Sequence, residues 1–164
     1  MIVVSDTTPL ISLMKIGKLD LVANLFGEIQ VPEAVYYELV SNTKFPAESK
    51  MIRESPFIKK VSVADIKAVE LLRRSTGLDM GESEAIILSD QNSSDVLLMD
   101  EAKGRQVAKL MGINLMGTIG MLLVAYKEKY LSREEILKCI DILKNSGRHI
   151  INQLYEDLLR KING

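Results

Sequence analysis

The 164-residue chain has one cysteine, Cys139, one histidine, His149, and no tryptophan. A single cysteine excludes a disulfide framework and any multi-cysteine zinc site. A single histidine cannot furnish a histidine-rich metal centre. A Ser-His-Asp triad would have to use His149, and no nucleophile-elbow motif is present to serve it. Aromatic residues are only 5% of the chain, so a core must come from Ile, Leu, Val, Met and Ala. A surplus of either charge is also missing, the formal net charge being −1. Overall charge therefore does not indicate a nucleic-acid partner, although a local basic patch can supply one. No apolar run approaches the roughly 20 residues of a membrane span. No basic segment with a small-residue cleavage site opens the chain. The protein is expected to be cytoplasmic and to have no membrane partner.

What is present is an ordinary globular composition, 47% apolar and 26% charged, at a length that suits one core. Strand-like runs occur at 2–5, 28–31, 58–63, 95–99 and 113–116. Helical periodicity covers about 9–16, 18–26, 32–40, 64–74, 80–91, 101–111, 118–130, 132–144 and 150–161. The polar stretch 41–57, with two prolines, is expected to be a long loop or insertion. Asp79, three residues before Glu82, has the spacing of a helix cap. Strands alternating with helices predict an α/β fold with three layers around a mostly parallel sheet.

Four carboxylates stand where a solvated charge does not belong. Asp6 follows the apolar "IVVS" and Asp100 follows "VLLM", each at the carboxyl end of an expected strand. In open parallel sheets the ligand crevice lies beyond those ends. On a helical wheel Glu84 falls among Met80, Ile87 and Leu88, and Glu82 on roughly the opposite side. Glu38 falls between Ala34 and Val35, again on the apolar side of its helix. Taken singly, each has a purely structural explanation. Asp6 and Asp100 would cap the helices that follow them, Glu84 would pair with Arg105 or Lys109, and Glu38 would be a half-exposed helical residue. Taken together they are an acidic cluster, which must be paired, protonated or bound to a cation. Oxygen ligands without histidine or cysteine select Mg²⁺ or Mn²⁺, and such a rim suits phosphodiester hydrolysis.

The stretches "SDTTPLI", "GESEAIIL", "MDEAKGRQVA" and "GTIGMLLVA" resemble the PIN-domain family of metal-dependent ribonucleases, the fold of VapC-type toxins from toxin–antitoxin pairs. The resemblance runs from residue 2 to about Lys127. It implies a PIN-like catalytic domain over 1–130, with 131–164 as a C-terminal helical extension packed on the same domain. It also implies four acidic positions, matched here by Asp6, Glu38, Glu84 and Asp100, serving as both catalytic and metal-binding residues. "GESEAI" contains both Glu82 and Glu84, and the wheel favours Glu84. Thr7 or Thr8 matches the small hydroxyl residue that accompanies the first aspartate.

The activity implied is Mg²⁺- or Mn²⁺-dependent cleavage of RNA, leaving 5′-phosphate and 3′-hydroxyl ends, with an antitoxin protein as partner. RNA contact would fall to Lys103 and Arg105, just past Asp100, with Lys59–Lys60 and Arg73–Arg74 behind them. A homodimer through apolar helix faces fits the same family. Two alternatives stand beside this. The chain could be a PIN-fold RNA-binding or protein-interaction module without nuclease activity. It could also be a phosphatase or receiver-like domain with Asp6 as phosphoryl acceptor, but that chemistry calls for an aspartate where Thr8 stands.

Overall fold

Val3, Val4 and Ser5 are buried on both sides and form the central strand, β1 (Val3–Ser5). Around it lie β2 (Ile29–Pro32), β3 (Ile58–Val61), β4 (Val96–Leu98) and β5 (Leu115–Met116), in the order β3-β2-β1-β4-β5. Every pairing is parallel, with Val4 opposite Gln30 and Leu97, Val31 opposite Lys60, and Leu98 opposite Met116. The computed structural model describes residues 1–42, 44–146 and 152–163. Ten helices connect and cover the strands among these residues: α1 (Thr7–Lys15), α2 (Leu21–Phe26), α3 (Glu33–Val40), α4 (Pro46–Glu54), α5 (Ile66–Thr76), α6 (Met80–Gln91), α7 (Ala102–Leu110), α8 (Thr118–Lys127), α9 (Arg133–Asn145) and α10 (Asn152–Asn163). The expected three-layer α/β/α fold is present. None of these helices is long and apolar enough to cross a membrane.

A parallel sheet buried on both faces should be made of β-branched and aliphatic residues, and alternate residues here serve two cores. Val3, Ile29 and Val31 face the larger one, with Leu10, Leu13, Val22, Met121 and Leu122. Val4 and Leu97 face the smaller one, with Ala85, Ile86, Leu88 and Met99. The C-terminal helices belong to the larger core, since Ile136, Cys139, Ile140, Tyr155, Leu158 and Ile162 all pack into it. His149 and the expected helix start at Ile150 lie outside the described residues.

The stretch 41–57 departs from expectation, because it contains a full helix. Pro46 starts α4, and only Ser49 and Ile52 turn inward. That stripe is too narrow to produce a periodic apolar signal. The helix is fixed instead by Ile52 and by the Ser49 hydroxyl, which donates to the carbonyl of Leu39 at 3.1 Å.

Strand order decides where a ligand can sit. From β1 the chain winds outward through β2 and β3 on one side and β4 and β5 on the other. The switch point is therefore between β1 and β4, and the crevice opens beyond their carboxyl ends.

Candidate active site

Asp6 is the first residue beyond β1, and its backbone N–H donates to the carbonyl of Leu98 on β4 at 3.0 Å. It occupies the N-cap position of α1, yet its carboxylate makes no capping hydrogen bond to that helix. It is only 3% exposed. A cap would spend its oxygens on the N2 or N3 backbone of the helix; Asp6 does not, and its carboxylate lies at the crevice. Burial is the main reason its pKa rises to about 7, and the negative charges of Glu82, Asp79 and Glu38 add to it, against a lowering hydrogen bond from the Thr7 backbone.

Asp100 lies across the switch point. It does not cap α7, whose N-cap is Glu101. Its carboxylate instead accepts from the Thr118 backbone N–H at 2.7 Å and the Thr118 hydroxyl at 2.6 Å. These bonds aim it at the N-terminus of α8, where a negative charge is favoured. Gly117 is needed here, because a Cβ at that position would come 2.8 Å from Asp100 Oδ1.

Glu38 reaches the same crevice from α3, its Oε2 accepting from the Thr7 hydroxyl at 2.8 Å. Of the two threonines, Thr7 is the one so engaged. The α6 helix approaches α3 at Gly81, where a Cβ would lie 3.3 Å from Glu38 Oε2. Asp79 caps α6 by accepting from the Glu82 backbone N–H at 2.8 Å. The Glu82 carboxyl is half-buried, and its pKa is pushed to about 7, first by burial and then by the Asp79 carboxylate beside it.

Glu84 is elsewhere. Its Oε1 accepts from the Ala34 backbone N–H at 3.0 Å, at the start of α3. Pro32, the N-cap of α3, has no side-chain acceptor, so Glu84 supplies the missing partner from the neighbouring helix. It also borders a separate cavity of about 350 Å³, shared with Glu33, Ser62, Ile66 and Met80. The carboxylate that α6 sets beside Asp6 is therefore Glu82, not the Glu84 favoured by the wheel. The reason is that α6 is buried nearly all round: Gly81, Ser83, Ala85, Ile86, Ile87, Leu88 and Ser89 are all enclosed. A helix packed on every side has no single apolar face from which phase can be read.

The basic candidates also separate. Arg105 is half-buried and donates to the Met99 carbonyl at 2.7 Å, one residue from Asp100. Lys103 is exposed, with its Nζ beside Gly77.

A family model described as a PIN domain matches residues 2–164. The chain belongs to the PIN-domain family. The match extends through α9 and α10, beyond the stretch whose motifs are most distinctive. No curated protein matches the chain. PIN domains are nuclease folds that typically bind divalent metals. In this PIN domain the donor set is oxygen only, as such a cation prefers. As the side chains stand, no three His, Cys, Asp or Glu residues among the described residues form a group that could hold a metal ion. Asp79 is the acidic neighbour of Asp6 that the sequence marks only as a helix cap. Its signal is position, because the N-cap of a helix that starts at the crevice also faces the crevice.

Proposed function

We propose that this PIN domain is a Mg²⁺- or Mn²⁺-dependent endoribonuclease. The observation that carries this is Asp6, a buried carboxylate at the switch point that does no capping and is held near neutrality by burial and by three acidic neighbours. Such a charge is costly in the fold and is retained where a ligand needs it.

Asp6, Glu82 and Asp100 are the residues that would hold the ion, with Glu38 as a further donor. The donor chemistry fits Mg²⁺ or Mn²⁺. When bound, the cation supplies charge neutralisation at the scissile phosphate and an acidified water. The chain's own residues do the positioning. Thr118 fixes both oxygens of Asp100, Thr7 orients Glu38, and Asp79 fixes the first turn of α6. The Asp6 and Glu82 carboxyls, both raised to about 7, would bind a cation in their deprotonated form, so its affinity would rise with pH.

The test is cleavage of a varied RNA panel by the purified protein in Mn²⁺. Metal-dependent products with 5′-phosphate ends, lost in Asp6→Asn and Asp100→Asn, are expected. An intact panel together with no divalent binding by calorimetry would sink the proposal. A second reading, an RNA-binding or protein-interaction module without nuclease activity, draws on the lack of a preassembled three-carboxylate group among the described residues. The same experiment separates the two. A toxin role is proposed further, with an antitoxin as partner. Growth arrest on expression, relieved by a neighbouring gene, tests it. The proposed homodimer is checked by mass in solution.

A further inference from the structure

Beside the acidic crevice, α3 presents a second chemistry. Val35 and Leu39 turn inward, whereas Tyr36 is half-buried and Tyr37 is 51% exposed. The two rings meet edge to face, with centroids 6.3 Å apart at 79°. Lys60 of β3 lies against both, its Nζ 5.3 Å from the Tyr36 centroid and 5.2 Å from that of Tyr37. Lys59 and Lys60 are both exposed, on the outermost strand of the sheet.

We propose that Tyr36, Tyr37 and Lys60 form a binding subsite for single-stranded RNA beside the crevice, with an unpaired base stacking on Tyr37 and Lys60 turning from the rings to a backbone phosphate. This rests on the endoribonuclease reading of the neighbouring site. Register places the two together. Lys60 is opposite Val31, and Val4 is opposite Gln30, so Lys60 is level with Ser5, the residue before Asp6. Two strand spacings separate them, about 10 Å of sheet. Glu38, bound to Thr7 in the crevice, directly follows Tyr37 in α3.

Electrostatics calls for such a subsite. The crevice gathers Asp6, Glu38, Asp79 and Glu82 and without a cation repels a phosphate backbone, so the flanking stretches of the strand need attraction from its borders. Arg105, at one border, is already engaged by the Met99 carbonyl. The open edge of the sheet supplies two lysines and two aromatic rings instead, the combination that tracks a single strand without reading its sequence. An exposed cation–π contact is weak enough to be exchanged for a phosphate.

Binding of a fluorescently labelled, mixed-sequence single-stranded RNA to the full chain in EDTA tests this without cleavage. Tyr37→Ala should raise Kd about tenfold, whereas Tyr37→Phe should stay close to wild type, since stacking needs the ring and not the hydroxyl. Lys60→Ala should weaken binding and lower the salt slope by about one. The chain has no tryptophan, so Tyr37→Trp provides a lone reporter whose emission RNA should quench. Unchanged affinity in Tyr37→Ala and Lys60→Ala overturns the inference, as does equal loss in Tyr37→Phe, or no RNA binding by the wild type.

Cleavage assays in Mn²⁺ separate this from the nuclease reading. A raised KM with kcat kept in Tyr37→Ala supports the subsite. Unaltered KM, with active wild type, defeats the subsite alone. Binding through Tyr37 without any cleavage keeps the subsite and defeats the nuclease.

Discussion

Asp6→Asn should inactivate the protein and, in the absence of metal, make it more stable. The folded-state pKa of Asp6 is about 7 against 3.8 for the free carboxyl. In the window between those values the native state holds a proton that the unfolded chain has released, so stability falls as pH rises. The penalty is absent below about pH 4 and complete above about pH 7. Raising the pKa from 3.8 to about 7 corresponds to a ceiling of about 4 kcal/mol. Asparagine removes that charge but buries an amide that has to find its partners, which takes back about 1–3 kcal/mol. The expected net gain is about 1–3 kcal/mol at pH 8, shrinking towards zero or reversing at pH 4. Urea unfolding in EDTA at pH 4, 6 and 8, wild type against variant, measures it. A falling slope remaining in the variant between pH 6 and 8 belongs to Glu82, whose pKa rises in the same sense. A variant less stable than wild type at pH 8, or a pH slope identical in both, would falsify the assignment of Asp6 as an uncompensated buried charge.

The two α6 glutamates should part company under substitution. Glu84→Ala removes the acceptor for the Ala34 N–H and should cost about 1 kcal/mol in denaturant unfolding without weakening divalent binding; Glu82→Gln should weaken divalent binding in calorimetry with no loss of stability. If Glu84 proves the one that metal affinity depends on, the placement of α6 over the crevice is wrong. Thr118→Val removes the 2.6 Å bond to Asp100 Oδ2. It should destabilise the fold by about 1.5–3 kcal/mol and lower kcat more than it raises KM; a pure KM effect would contradict an orienting role. Gly117→Ala puts a methyl 2.8 Å from Asp100 Oδ1, close enough to push that carboxylate aside, and should cut cleavage about 10- to 100-fold while near-native circular dichroism persists. Mn²⁺ should raise the melting temperature of wild type and not of the Asp6→Asn, Asp100→Asn double variant; equal shifts in both place the ion elsewhere.

The fold was legible in the sequence wherever burial is one-dimensional. "IVVS" and "DVLLM" sit inside the sheet, covered on both faces, so uninterrupted apolar runs announce them whatever the register. The carboxylate that ends each run is equally visible, because a charge directly after a buried strand has only the sheet's carboxyl rim to occupy. That logic located Asp6 and Asp100 from short stretches of sequence. It left capping open for both, and only geometry shows that the Asp6 side chain does not cap α1 and that Asp100 serves α8 rather than α7. The helix α4 was invisible for the opposite reason: its two inward residues, Ser49 and Ile52, are a serine and an isoleucine one turn apart in an otherwise polar segment.

The α6 glutamates show where reading by helical phase stops working. A wheel assumes that a helix has one wet side and one dry side. The α6 helix touches α3, α5, α7 and the strands β1, β2 and β4, so dryness no longer distinguishes its faces. What distinguishes them is the polar group each neighbour presents. Beside Glu84 that group is an N–H at the start of α3, left without a side-chain cap because Pro32 stands at the N-cap. Around Glu82 one backbone hydrogen bond, from Asp79, is outweighed by burial and by the carboxylates of Asp79 and Glu101, which raise its pKa, and its own charge in turn raises that of Asp6. A glutamate that meets an orphaned donor is satisfied and structural; one that meets other carboxylates is frustrated. Such frustration survives in a fold only where something from outside relieves it. Pro32 itself is therefore the informative feature of the sequence, since a proline at the N-cap has no side-chain acceptor and leaves an N–H of the first turn, here that of Ala34, to be satisfied from elsewhere. Once Glu84 is assigned to that duty, Glu82 is the residue of "GESEAI" left to face Asp6.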